Sequence, residues 1–146
     1  MIKRIKNNSE DIALLSTFIK NSGNSLEKFR YFNSRDLSVI ADHIYTILIL
    51  DINQNPVAYG HLDPDQEIVW LGICVSETAT GNGYGDKIMT NLIVEASKIS
   101  LKEILLKVDS NNTKAISLYQ KHFFQILSEE KGKFFIMKHI LKNDKL

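Results

Sequence analysis

The sequence lacks the features that commit a chain to a membrane or to a disulfide framework. It has one cysteine, Cys74, so neither an intramolecular disulfide nor a cysteine-based zinc cluster can form. No apolar run approaches the roughly 20 residues that span a bilayer, and residues 1–6 are too short and interrupted for a secretory signal. These absences predict a cytoplasmic protein with no membrane partner and no metal.

Charge of one sign and chain-breaking residues are also scarce. The 18 basic and 17 acidic side chains leave a net charge of +1, which gives no reason to expect a nucleic-acid partner. Only two prolines occur, and no repeat, linker or low-complexity tract interrupts the chain. With 146 residues, of which 44% are hydrophobic, the sequence predicts a single globular domain over 1–146.

Hydrophobic spacing in the first third predicts a strand and two helices. Residues 2–5 alternate as a short strand, and Ser9 is placed to cap a helix with apolar positions at helical spacing. Residues 21–33 have no clean period. Ser34 is predicted to cap a second helix, whose buried face would include Leu37 and Ile40.

The remainder predicts strands, then a strand–helix–strand crossover, then a hairpin. Asp63-Pro64-Asp65 is predicted as a turn, and the strand 68–75 is apolar enough to be buried on both faces. The predicted strands are 46–50, 57–62, 68–75, 103–108, 124–127 and 134–140, with helices around 88–96 and 115–119. This order predicts an α/β (α+β) fold with a mixed, mostly antiparallel sheet flanked by helices.

A glycine-rich turn joins the apolar strand 68–75 to the following helix. Gly81, Gly83 and Gly85 alternate, which lets backbone N–H groups turn toward one point beside the positive end of a helix dipole. Such a turn suits a phosphate or pyrophosphate, although a tight connection without a ligand has the same pattern. A Walker loop is disfavoured because Lys87 follows Asp86 and precedes Ile88, and Asp86 also breaks the dinucleotide-binding pattern.

Two motifs resemble those of the GNAT superfamily of N-acetyltransferases. Thr80 to Gly85 is similar to the acetyl-CoA signature Gln/Arg-x-x-Gly-x-Gly/Ala, with Thr80 at the position where the family prefers Gln or Arg. Residues 112–124 are similar to the pattern Asn-x-x-Ala-hydrophobic-x-Leu-Tyr-x-Lys-x-Gly-Phe, with Phe123 in place of the glycine. The resemblance covers about residues 45–140 and implies a sheet splayed at the acetyl-CoA site.

The resemblance also implies a set of cofactor contacts. Strand 68–75 would pair its backbone with the pantetheine arm, and the glycine turn would hold the pyrophosphate. The implied contacts are Ile73, Cys74, Val75, Thr80, Gly81, Asn82, Gly83, Tyr84, Gly85, Asp86, Asn112, Ala115, Leu118 and Tyr119. The family transfers the acetyl group directly, which leaves Cys74 as packing rather than as a nucleophile.

Catalytic roles follow from the same resemblance. A tyrosine at the Tyr119 position commonly donates a proton to the leaving thiolate, and its pKa of about 10 suits a thiol of about 8.5. Glu67, at the start of strand 68–75, is a candidate for the general base. His61 is a second candidate, as base or as a substrate contact, because Tyr59, His61 and Asp63 alternate on one face of the preceding strand. Each also has a plain structural interpretation, as a solvated strand end and a half-buried histidine.

The aromatic and basic stretch around residues 29–35 is the candidate acceptor site. Its Phe29, Arg30, Tyr31 and Arg35, together with Trp70, are suited to stack on a sugar or base and to bind a phosphate. We therefore expect a small-molecule amine as acceptor, with a nucleotide-linked amino sugar as the specific candidate. A protein amine as acceptor, a noncatalytic acyl-CoA-binding module, and a homodimer as the assembled state stay open.

Overall fold

A seven-stranded sheet runs through residues 1–141, the part of the chain that the computed structural model describes. Residues 142–146 of the predicted domain lie outside it. The strands are β1 (Ile2–Arg4), β2 (Tyr45–Leu50), β3 (Pro56–Asp65), β4 (Ile68–Val75), β5 (Glu103–Asp109), β6 (Gln125–Glu130) and β7 (Phe134–Ile140). The α-helices are α1 (Ser9–Lys20), α2 (Tyr84–Lys98) and α3 (Thr113–Lys121), and none within the described range is long and apolar enough to cross a membrane.

The strand order is β1-β2-β3-β4-β5-β7-β6, and every neighbouring pair is antiparallel except β4 and β5. The parallel pair is connected through α2, as expected for a crossover between parallel strands. The fold prediction of a mixed, mostly antiparallel sheet flanked by helices is therefore confirmed.

Alternating side chains of the strands build one hydrophobic core on each face of the sheet. On β2, Ile47 and Ile49 join the core that contains α2, whereas Leu48 and Leu50 join the core that contains α1. All four are at most 4% exposed, because successive strand residues point to opposite faces and both faces are covered.

Helix α2 presses closely onto the centre of the sheet. Its residues Ile88, Met89 and Leu92 are completely buried at helical spacing. A Cβ at Gly60 of β3 would collide with Ile88 and lie 3.1 Å from Leu92. The missing side chain at Gly60 therefore sets how near α2 approaches β3.

The predicted turn at residues 63–65 is wrong, because β3 continues to Asp65 and the chain turns at Gln66 and Glu67. Pairing between β2 and β3 ends at Leu62, so Pro64 lies where β3 has only β4 as a partner. A proline is tolerated there since its missing N–H breaks no ladder on the open side.

The helix caps also differ from the prediction by one or two residues. Asn8, not Ser9, caps α1, and its side chain accepts a hydrogen bond from the Asp11 N–H at 2.9 Å. Asp36, not Ser34, caps the next segment, which is a short 3-10 helix over Leu37–Asp42 rather than an α-helix. The beginning of β2 at Tyr45 leaves no room for further helical turns.

Phe123 carries backbone strain at the end of α3. Its φ of 68° lies in the left-handed region, which glycine adopts freely and other residues adopt at a cost. Its side chain is 79% exposed and so gains little by burial. The turn after α3 therefore keeps a glycine-like backbone although the residue is phenylalanine.

We predict that Phe123→Gly raises the free energy of unfolding by about 1 kcal/mol, because glycine removes most of the left-handed penalty. Urea denaturation measures the change. Phe123→Ala is the matched control, since it removes the exposed ring but keeps the Cβ that causes the strain. Equal stability of the two variants would show that the ring, rather than the backbone, decides the effect.

Candidate active site

A cleft of about 1040 Å³ opens where β4 and β5 part. These parallel strands pair at Trp70 and Leu105, and beyond that point residues 71–75 and 107–109 line the cleft. Backbone N–H and C=O groups at a strand edge need hydrogen-bond partners. An extended ligand can therefore pair with β4 as a further strand would.

The cleft explains why β4 is less buried than its apolar sequence predicts. Val69, Leu71 and Cys74 are buried, but Trp70 and Gly72 are only half-buried. The expectation that both faces are covered is therefore wrong for the residues that face the cleft.

The cleft brings together most of the residues predicted for the site. Those that line it are Phe29, Arg30, Tyr31, Arg35, His61, Trp70, Ile73, Cys74, Val75, Thr80, Gly81, Gly83, Tyr84, Gly85, Asp86, Asn112, Ala115, Leu118 and Tyr119. Two predicted residues lie elsewhere. Glu67 is exposed in the turn between β3 and β4, and Asn82 points back to donate a hydrogen bond to the Ala79 carbonyl at 2.9 Å.

The glycine turn leaves open space at the beginning of α2. Gly81 and Gly83 have φ angles of 84° and 77°, and a Cβ on either would meet no atom within 4 Å. Gly85 has a different role, because its Cβ would lie 3.1 Å from Leu118 of α3. Two glycines thus shape a cavity beside the unpaired N–H groups of a helix N-terminus, where an anion is stabilised.

An ion-pair network holds the beginning of α2 against the end of α3. The Asp86 carboxylate accepts from His122 Nε2 at 2.8 Å and lies 3.1 Å from Lys121 Nζ. The hydrogen bond from His122, followed by that from Lys121, lowers the pKa of Asp86. The negative charge of Asp86 is therefore balanced by its partners at the end of α3.

Helix α3 presents Tyr119 to the cleft from the opposite wall. The side chain of Asn112 caps this helix by accepting from the Ala115 N–H at 3.3 Å. Tyr119 is 7% exposed, and burial, followed by the nearby Cys74, raises its pKa. The phenol consequently holds its proton throughout the physiological pH range.

The segment over residues 23–42 covers one end of the cleft, called the acceptor end here because the sequence predicts that the acceptor binds there. Arg30 reaches across to Asp109 at the end of β5 with distances of 3.0 and 3.3 Å, and this pair raises the pKa of Arg30. The guanidinium of Arg35 lies 4.2 Å from the ring centroid of Tyr31 and donates to its carbonyl. Both arginines thus lie in the cleft, but Arg30 already has an anionic partner.

A chain of hydrogen bonds in the acceptor end involves two residues that the sequence did not single out as site residues, His43 and Asp63. The Tyr31 hydroxyl donates to Asp63 Oδ2 at 2.8 Å and lies 2.6 Å from His43 Nε2. His43 Nδ1 is in turn 2.9 Å from the hydroxyl of Thr46. The alternation of Tyr59, His61 and Asp63 on β3 predicts that Asp63 shares a face of the strand with His61. No sequence pattern near His43 indicates that it belongs to the site.

His61 lies next to this chain and is almost completely enclosed, at 2% exposure. Its Nδ1 is 2.5 Å from the Tyr59 hydroxyl, and its ring lies over Gly72 of β4, where a Cβ would collide with it. Burial is the largest cause that lowers the pKa of both His61 and His43. Both imidazoles are therefore neutral at pH 7.

Residues 13–124 match the family model described as Acetyltransferase (GNAT) family. None of the curated proteins matches the sequence significantly. Within residues 1–141, no three His, Cys, Asp or Glu side chains are grouped so that they could hold a metal ion.

Solved structures share the fold along almost the whole chain. An acetyltransferase of the GNAT family from Streptococcus pneumoniae is 21% identical, covers 97% of this chain and 100% of its own, and has a TM-score of 0.75. The ribosomal-protein-S18-alanine N-acetyltransferase from Escherichia coli is 15% identical, with coverage of 100% and 99% and a TM-score of 0.72. Spermidine N-acetyltransferase from Vibrio cholerae, solved with CoA and spermine, is 14% identical, with coverage of 96% and 95% and a TM-score of 0.75.

The buried neutral histidines predict a loss of stability in mild acid. A histidine whose pKa is lowered by folding takes up a proton in the unfolded chain first, below about pH 6.5. The free energy of unfolding should then fall by about 1.4 kcal/mol per pH unit for each histidine that stays neutral. Urea titrations between about pH 7 and about pH 5 test this.

His61→Gln supplies the control for that titration, because it removes one of the titrating groups. We expect a shallower fall with pH for this variant than for the unchanged chain. Identical slopes would show that His61 does not stay neutral while the chain is folded.

Proposed function

The chain belongs to the acetyltransferase (GNAT) family, and from this premise we propose that it transfers the acetyl group of acetyl-CoA directly to a primary amine of a small molecule. One observation supports the proposal most. The glycine turn and the free edge of β4 both face a single cleft, and Tyr119 lines the facing wall of that cleft. Members of this family use acetyl-CoA as the acyl donor.

The residues of the cleft fit this cosubstrate. The space beside Gly81 and Gly83 and the N-terminus of α2 suit the pyrophosphate, because amide donors and the helix dipole favour negative charge. The edge of β4 at Ile73–Val75 suits the amide groups of the pantetheine arm, which can add to it as a strand would. The neighbour from Vibrio cholerae was solved with CoA, which supports the choice of ligand.

Direct transfer, rather than an acetyl-cysteine intermediate, is favoured by the surroundings of Cys74. Burial raises the pKa of its thiol to about 12, so almost no thiolate nucleophile is present at neutral pH. The side chain also belongs to the hydrophobic core beneath α1 that contains Leu15 and Phe18. Its role in the proposal is therefore packing.

Tyr119 is proposed as the acid that completes the reaction. The acceptor ammonium first loses one proton to solvent. The neutral amine nitrogen then attacks the thioester carbonyl carbon, so that the C–N bond forms and the C–S bond breaks. The departing thiolate takes the proton of the Tyr119 hydroxyl, and the proton released by the nitrogen restores that hydroxyl through water. Burial raises the pKa of Tyr119, so its hydroxyl keeps the proton until the thiolate departs.

The acceptor is proposed to bind against β3 and the covering segment. Asp63 and Trp70 are directly opposite each other on β3 and β4, and Asp63 forms no pair with a Lys or Arg within residues 1–141. A carboxylate beside an aromatic ring suits an amine that arrives protonated.

Within this class we propose a nucleotide-linked amino sugar as the candidate to screen first. The stacked rings of Phe29 and Tyr31 support a planar base or a sugar, and their centroids are 6.2 Å apart. Arg35 and Lys28 remain available to a phosphate, since Arg30 pairs with Asp109.

We predict that Gly83→Asp weakens acetyl-CoA binding at least tenfold relative to Gly83→Asn, measured by isothermal titration. Both side chains tolerate the left-handed backbone and have the same shape, so only the charge beside the pyrophosphate differs. Equal affinities for the two variants would place the pyrophosphate elsewhere. No binding by the unchanged chain would contradict acetyl-CoA as the cosubstrate.

We predict that Tyr119→Phe lowers kcat about 100-fold while the Kd for acetyl-CoA stays within about twofold. Thiol release, followed with and without candidate amines beginning with nucleotide-linked amino sugars, measures turnover. The phenylalanine preserves packing against Phe124, so a folding defect is not expected. Undiminished turnover would mean that another group protonates the thiolate.

A further inference from the structure

His61 has one ring nitrogen bound to the protein and the other free for a ligand. Nδ1 is held by the Tyr59 hydroxyl at 2.5 Å, whereas Nε2 forms no hydrogen bond within residues 1–141. Nε2 and Cε1 lie over Gly72, and both His61 and Gly72 line the cleft. The rings of Tyr31 and His43 pack around the same imidazole at centroid distances of 4.4 and 4.6 Å.

The Tyr59 hydroxyl decides which nitrogen of His61 carries the proton. Tyr59 is completely buried, and His61 Nδ1 is the one hydrogen-bond partner of its hydroxyl among the described residues. A buried O–H that donates to nothing is more costly than an oxygen lone pair that accepts nothing. Tyr59 therefore donates, Nδ1 accepts, and the proton of the neutral ring is on Nε2.

We infer that His61 works as a neutral hydrogen-bond donor, through Nε2–H, to an oxygen atom of the bound reactants, and that Tyr59 is the residue that positions it. This inference rests on the proposed acetyl transfer. A protonated Nε2 has no lone pair with which to take a proton from the amine, so His61 is not the general base.

The donor role has a definite use in acetyl transfer. When the amine attacks, the thioester carbonyl oxygen gains negative charge, and an N–H on a ring already held by the Tyr59 hydroxyl stabilises it without reorganisation. Gly72 lies next to Ile73, which places the Nε2–H beside the stretch of β4 proposed to hold the acyl arm. An oxygen of the acceptor molecule could accept the same hydrogen bond in place of the thioester oxygen, and kinetic measurements separate the two cases.

The first test is the tautomer itself, read from two-dimensional nitrogen–proton NMR spectra of the histidine rings at neutral pH. We expect the Nε2–H form of His61 in the unchanged chain. In Tyr59→Phe, which removes only the donor, we expect the Nδ1 resonance to move toward that of a nitrogen lone pair without a hydrogen bond. An Nδ1–H tautomer or a doubly protonated ring in the unchanged chain would overturn the inference. This readout does not depend on turnover, so it stays decisive even if no amine is acetylated.

The second test compares two substitutions at position 61. Glutamine carries an amide N–H2 that can replace the Nε2–H donor but cannot act as a base, whereas leucine has neither function. We expect His61→Gln to retain activity within about tenfold and His61→Leu to lose about 100-fold or more. Equal losses in both variants, with folding verified by circular dichroism, would contradict the donor role.

The kinetic split identifies the oxygen that is bound. A loss in kcat at an unchanged amine KM assigns the donor to the thioester oxygen, and a rise in amine KM assigns it to the acceptor. Titration with acetyl-CoA and with CoA, which differ only in the acetyl group, gives an independent reading. A change in the His61 Nε2 resonance with acetyl-CoA alone supports the thioester assignment.

Discussion

The parting of β4 and β5 is the constraint on which the rest of the structure depends. Two strands that pair once, at Trp70 and Leu105, and then diverge leave a row of backbone groups without a ladder. If β4 and β5 stayed paired along their whole length, there would be no cleft, and the candidate site residues would not line a common cavity. The helices that follow each strand, α2 and α3, put their N-termini beside the gap and so give it an electrostatic character.

Several interactions hold the walls of the cleft at a defined separation. Asp86 binds the end of α3, Leu118 packs onto Gly85, and Arg30 spans to Asp109. Each of these contacts joins segments that are distant in sequence. These contacts exist without a ligand, so the polar groups of the cleft are oriented before one arrives, which is the condition for electrostatic catalysis.

The sequence predicted those parts of the fold that local pattern controls. Strands 68–75 and 134–140 have the predicted bounds, because apolar runs flanked by turn residues mark both ends. The continuation of β3 through Pro64 was missed, since it depends on where β2 stops pairing. The glycine turn and the α3 motif located most of the candidate site, whereas the contact of Tyr31 with His43 and Asp63 depends on three segments that only the folded chain brings together.

The pair formed by Arg30 and Asp109 has a consequence for how molecules are sorted at the cleft. Its partners are 55% and 26% exposed, so separating them costs at most about 1 kcal/mol, or a factor of about five in an equilibrium constant. A ligand with an anionic group that binds Arg30, or a cationic group that binds Asp109, forms a new ion pair in place of the one it breaks. An uncharged ligand forms no such pair. The salt bridge therefore selects weakly for charged ligands, and this selectivity decreases as ionic strength rises.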